Sequence, residues 1–135
     1  FYTYAVHFPF GIMRASGEVL VRIPVALEDD GSLFCVGEVP EHSVLTLLEA
    51  PKAEQREAVQ ALGRRMGSEG GEILTFYCAG RRMHLTDAAP AELAALSEAT
   101  GATGLFGALS LGEIGPCREG GYPLFHNACL LCARP

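Results

Sequence analysis

The stretch "GEILTFYCAG", residues 71–80, decides how the rest of the chain is read. Its apolar side chains run on continuously instead of alternating with polar ones, the pattern of a strand covered on both faces. A helical pattern lies on either side of it. Before it, "PKAEQREAVQALGRRMG" (51–67) repeats Ala58, Leu62 and Met66 every four residues, with Val59 beside them. Pro51 suits a first turn, Arg64 and Arg65 suit the negative end of the helix dipole, and Gly67 supplies a stop. After it, "TDAAPAELAALSEATG" (86–101) reads as a second helix. Thr86 or Asp87 would cap it, Leu93 and Leu96 form its buried pair, and Gly101 ends it. Two more apolar stretches, "TGLFGALSLG" (103–112) and "FHNACLLCA" (125–133), are expected as buried strands.

Strand signals fill the first fifty residues. In "GEVLVRIPVAL" (17–27), Val19, Val21, Ile23 and Val25 share one face while Leu20, Arg22 and Pro24 share the other. Pro24 has no N–H for a ladder, so that strand lies at an edge or breaks there. "EDDGS" (28–32) is a turn, "LFCVGEV" completes a hairpin, and "HSVLTLLEA" (42–50) reads as a further strand. The expected fold is α+β: a mixed, mainly antiparallel sheet with about two helices on one face, a β-rich N-terminal half, then βαβαββ.

With 135 residues, 49% of them hydrophobic, the chain can bury a core as one domain, residues 1–135. A formal charge of −6 argues against a nucleic-acid partner. No apolar run reaches the roughly 20 residues of a membrane span. The chain opens on Phe1 instead of Met and is expected to be excised from a longer protein. Its five cysteines follow no disulfide spacing, and four lie in apolar runs, which points to a reducing, cytoplasmic setting.

Polar residues at strand ends are the candidate site. Arg81 and Arg82, in "CAGRRMHL" (78–85), follow a strand, where α/β-type sheets gather ligands. If extended they point to opposite sides, and a guanidinium fork fits a carboxylate or phosphate. The alternative is a solvated pair or a salt bridge. Glu113 stands in "GEIGP" (112–116), where glycine lets a ligand approach the main chain. It either receives an ammonium or hydroxyl or faces water from a tight turn. Asn127, beside His126 at the start of the last strand, either reads an amide or carboxylate or ties down the loop "CREGGYP" (117–123). His7 and His42 read as structural. In "CLLC" (129–132) the two thiols of a strand would diverge, which disfavours a metal or redox pair. Cys78 with His84, or Cys117 with His126, could be drawn as a catalytic pair, but no catalytic motif supports either.

Taken in order, "FPFGI" (8–12), "SLFCVGEVPEHSVLTLL" (32–48), "FYCAGRRMHL" (76–85), "GLFGALSLGEIGP" (104–116) and "FHNACLLC" (125–132) resemble the C-terminal part of FIST domains, from about Phe8 to Cys132. The resemblance implies an intracellular sensory module of bacterial signal-transduction proteins. Such a module binds small ligands, amino acids among them, without a cofactor. It passes the signal to an attached output domain such as a kinase, cyclase or chemotaxis module. The polar positions implied are Arg22, Arg81, Glu113, His126 and Asn127. His42 replaces a usual glycine, and "FHNACLL" lacks two polar side chains usual in the last strand. The N-terminal half of the family's domain is not in this chain, so a pocket between halves would be incomplete. The reading favoured is a non-catalytic sensor in which Arg81 takes the carboxylate of a small zwitterion, Glu113 its ammonium, and Asn127 or His126 fixes its orientation. The alternative is a protein–protein or dimerisation module, and less so a cysteine-dependent enzyme.

Overall fold

A computed structural model describes residues 1–49, 54–116 and 122–135, without the side chains of residues 54 and 55. The α+β class holds. Among the described residues the strands divide among four small sheets, and every pairing but one is antiparallel.

After a short helix α1 (Tyr2–Ala5), the first half builds β1 (Phe10–Met13), which pairs with β2 (Val19–Arg22) on one side. Its other neighbour is β5 (Leu45–Leu47), so the expected strand over 42–50 is reduced to its middle. The long strand does break at proline: β3 starts at Pro24 and runs to Leu27, forming a hairpin with β4 (Leu33–Cys35). The turn between them closes with Glu28 N–H on Ser32 O at 2.9 Å and Ser32 N–H on the Asp30 carboxylate at 2.9 Å.

The second half carries α2 (Glu54–Met66), β6 (Glu72–Cys78), α3 (Ala79–Leu85), a 3-10 turn (Thr86–Ala88) and α4 (Ala89–Thr100). It finishes with β7 (Gly104–Ser110), β8 (Glu113–Gly115), β9 (Leu124–His126) and β10 (Leu130–Ala133). In the sheet β10–β6–β7, β6 and β7 run parallel from Glu72 opposite Gly104 to Cys78 opposite Ser110. The chain crosses between them through α3 and α4, as a parallel pair requires. Pro51, expected to open α2, lies outside the described residues.

Three expectations are corrected. First, β6 is covered on one face only: Ile73, Thr75 and Tyr77 are buried, whereas Leu74 and Phe76 are 41% and 38% exposed. Its parallel neighbour β7 lies at the sheet edge, with Phe106 exposed, so neither strand is the fully buried one expected. Second, the arginines follow strand β6 but the chain does not stay extended through them. The chain turns into α3 at Ala79, and Gly80 meets Ile23, where a Cβ would come within 2.5 Å of its Cδ1. Third, the expected strand 125–133 splits into β9 and β10. Ala128 takes a positive φ of 60° and Asn127 turns its amide inward.

Two packing knots join the parts. Val6, Ile23 and Cys78 form one cluster, tying α1 and the β2–β3 junction to the end of β6. Tyr77, Leu85 and Ala89 form the other, joining β6 to α3 and the start of α4. Helices α2 and α4 pack side by side, and Val59 and Leu96 are fully buried. Arg134 clamps the C-terminal ends of both, donating to the carbonyls of Met66, Gly67, Gly70 and Thr100. At the helix contact a Cβ on Gly63 would sit 2.4 Å from that of Ala99. Replacing a helical glycine by alanine normally gains about 1 kcal/mol. Here Gly63→Ala is expected to lose about 1–3 kcal/mol by overpacking, and adding Ala99→Gly should recover most of it in urea denaturation.

Candidate functional site

The turn from β7 into β8 and the short β8–β9 pair place Glu113 directly opposite His126, on one face of the ladder. That face borders a hollow of about 560 Å³. Val19 and Val21 of β2, Val59 and Leu62 of α2, and Leu130 of β10 line its apolar side, and Arg81 and Cys129 also reach it. The volume falls within the range of small-molecule sites. Three of the five site residues expected from sequence therefore share one cavity.

Glu113 is 4% exposed. Its Oε1 accepts from the Ser110 hydroxyl at 2.5 Å, while its buried Oε2 accepts no hydrogen bond from any described residue. Burial pushes the carboxyl above its ordinary value of 4.5, and the Ser110 hydroxyl, the Cys129 amide and the Cys78 thiol draw it only part of the way back. Neither of the last two reaches Oε2 with hydrogen-bond geometry. Burial also lowers His126 below its ordinary 6.5, so it is neutral at pH 7. Cys129 is pushed up to about 11 by burial, then by the charges of Glu113 and Cys78. It is a neutral thiol near neutral pH.

Arg81 borders the same hollow but is already engaged. Its Nε donates to Glu92 Oε2 at 3.0 Å, its Nη2 to Glu92 Oε1, and its Nη1 to the Ala128 carbonyl at 3.1 Å. The Tyr77 hydroxyl donates to Glu92 Oε2 at 2.5 Å. Burial, and then the hydrogen bond and charge of Glu92, raise the Tyr77 phenol well above its usual range. Glu92 was missed from the sequence because an acid in a first helical turn reads as a complement to the dipole. The available signal was its spacing: Ala89, Glu92, Leu96 and Thr100 are the buried stripe of α4.

The other two expected residues do not line the hollow. Arg22 is 6% exposed and donates to three carbonyls: Glu38 at 2.8 Å, Val21 at 2.9 Å and Phe125 at 3.0 Å. Its guanidinium carbon lies 5.6 Å from the Phe125 ring centroid. That ring fills the space that a Cβ on Gly112 would need, coming within 2.1 Å of it. Gly112 thus makes room for an aromatic side chain. Asn127 Oδ1 accepts from Ile23 N–H at 3.4 Å and its Nδ2 donates to Leu111 O at 3.1 Å. The amide staples the β9–β10 turn to both the β2–β3 junction and the β7–β8 turn.

His84 stands with its Nδ1 2.7 Å from that of His7, one ring donating and the other accepting. The Cys78 sulfur accepts from Ala128 N–H at 3.2 Å. Cys129 donates to Asn127 O at 3.5 Å, whereas Cys132 meets Thr75 Oγ1 at 3.8 Å, so the two thiols of "CLLC" have different partners. Cys117, and with it the Cys117–His126 pairing, lies outside the described residues.

The ion pair of Arg81 and Glu92 gives a direct test. Arg81→Ala strands a buried carboxylate and is expected to cost about 3–5 kcal/mol in chemical denaturation. Tyr77→Phe, which removes one hydrogen bond to the same charge, should cost about 1.5–3 kcal/mol. A near-neutral Arg81→Ala would mean that the pair does not form.

The family model described as the FIST C domain matches residues 1–116. The match ends before the "FHNACLLC" block that contributed to the resemblance. No curated protein and no solved structure matches the chain. The chain belongs to the FIST C domain family, a sensory-type domain associated with signal transduction.

Proposed function

We propose that this FIST C chain is a non-catalytic sensory domain of a cytoplasmic signal-transduction protein, and that it binds a small ligand in the hollow beside Glu113. One observation carries the reading: Glu113 lines a ligand-sized cavity, and one of its carboxylate oxygens is buried without a hydrogen bond from any described residue. A buried acceptor left unpaired is costly, and folded proteins rarely keep one without a use. An amino acid or similar zwitterion would bring its ammonium to Oε2, with His126 across the strand pair fixing its orientation. Its carboxylate would have to share Arg81 with Glu92. The captured ligand would alter the packing of β8–β9 against β2 and α2, and an attached output domain would read that change. Among the described residues, no helix is long and apolar enough to cross a membrane.

A second reading, as an interaction module, draws on the open face of β6–β7. Leu74 and Phe76 stand beside Phe106 and Ala108 in the parallel register, and Phe106 is 56% exposed. Such a contiguous apolar patch is how a covered face looks without its cover. The N-terminal half of the family's domain is the cover this reading favours, and a second copy of the chain is the alternative. Because the face is open, Phe76→Asp with Phe106→Asp should leave the melting temperature of this chain within a few degrees. The same change should abolish concentration-dependent association, seen by sedimentation, if a second copy is the occupant.

Glu113→Gln tests the sensor. The folded-state carboxyl titrates above 4.5, so folding takes up a proton in the window just above that value. Its contribution to stability is full below 4.5 and is lost as pH rises through the raised pKa. Relative to the native chain, the glutamine variant should therefore gain melting temperature between acid and neutral pH. It should also weaken any ligand found by calorimetry with an amino-acid panel by about 10- to 100-fold. Parallel melting curves across that range, with unchanged ligand affinity, would falsify the role given to Glu113.

A further inference from the structure

We propose that the hollow beside Glu113 selects a small organic amine that carries no carboxylate. The inference rests on reading that hollow as a ligand site and narrows what it takes. The charges bordering it are unequal in a way that favours an ammonium over a carboxylate. Glu113, which lines the hollow, keeps a buried oxygen that accepts no hydrogen bond from any described residue. Arg81, the inward-facing cation, is matched by both oxygens of Glu92 and by the Ala128 carbonyl. A ligand carboxylate could take Arg81 only by displacing Glu92, which is 4% exposed and would keep Tyr77 alone as partner.

Among the described residues, the remaining groups supply no second buried cation. Burial of His126 disfavours its charged form. Glu18 adds a second acid at the wall and is ion-paired with Arg14 at 3.7 Å. Arg65, at the end of α2, borders the hollow but is exposed, where water competes for its charge and blunts any preference for an anion. A carboxylate inside would also lie near Glu113, at like charge. An ammonium suits the same place. It has three N–H donors: one satisfies Oε2, and the neutral His126 ring, directly across the ladder, offers a further acceptor in one tautomer. The hydrocarbon part then packs on Val19, Val21, Val59, Leu62 and Leu130.

The test uses pairs that differ only by the carboxylate: isobutylamine with valine, isoamylamine with leucine, tyramine with tyrosine. Titration calorimetry on this chain at about pH 7.5, where the amines are protonated, should show at least one amine binding about tenfold or more tighter than its amino acid. Glu113→Gln should erase that binding without lowering the melting temperature. An amino acid that binds as well as its amine overturns the exclusion of carboxylate while leaving the cavity a ligand site. Failure of every pair to bind removes the site and the proposal together. Amine binding that survives Glu113→Gln overturns the proposal by placing the ligand elsewhere.

Discussion

Glu92, in the first turn of α4, is buried and holds the Arg81 guanidinium through two parallel hydrogen bonds. Most of the second half is arranged around that contact. It joins α4 to α3, through Tyr77 it reaches β6, and through the third arm of Arg81 it reaches the carbonyl of Ala128 between β9 and β10. A buried ion pair is a weak source of net stability, since desolvating both charges offsets most of their attraction. Its effect is on specificity: any packing of α3 against α4 that separates the pair leaves a charge stranded in the interior.

The same contact determines the charge of the hollow. With Arg81 neutralised inside the protein, Glu113 is left as the inward group whose charge has no matching partner among the described residues. Arg22 and Asn127 play the corresponding role in the first half. They hold carbonyls and an amide N–H from Val21, Ile23, Glu38, Leu111 and Phe125, which are separated in sequence but adjacent at the junction of β2, β3 and β9. Buried polar groups of this kind are satisfied by backbone and fix geometry. The hollow is bounded by elements held in place by these residues, although neither lines it.

Sequence periodicity found what local chemistry controls. The break at Pro24, the hairpin turn at Asp30, the stop of α4 at Gly101 in the left-handed region and the buried Leu96 all follow from rules acting within a few residues. The two-sided burial of β6 was misread because Leu74 and Phe76 are apolar yet open, and composition does not say whether a cover is present. Arg81 and Arg82 were misplaced because "AGRRMHL" suits a helix as well as an extended exit, and tertiary packing of Gly80 on Ile23 decides between them. At the site, Glu113 and His126 were legible as polar residues beside apolar runs, and the cross-strand register put them together. Arg22 and Asn127 carried the same signal for a different reason, since a polar residue in an apolar setting marks either a ligand or a backbone in need of a partner. Glu92 showed only in its spacing with Leu96, which requires that the buried face of α4 be known first.

In the proposed sensor, the unsatisfied buried carboxylate would supply the means of signalling. A ligand shifts an equilibrium only by its differential affinity for two states. Burial disfavours the charged form of Glu113 and raises its pKa. A ligand donor at Oε2 would offset that cost, whereas a solvated carboxylate would gain little from one more partner. The β8–β9 pair that carries Glu113 is tied through Phe125 O to Arg22, and the adjoining Asn127 side chain is tied to Ile23. In that proposal, a change in its seating would reach the β2–β3 junction through these two hydrogen bonds. On this account the energy of sensing comes from the acceptor that the fold leaves unpaired, and the polar staples around it convert that energy into a displacement.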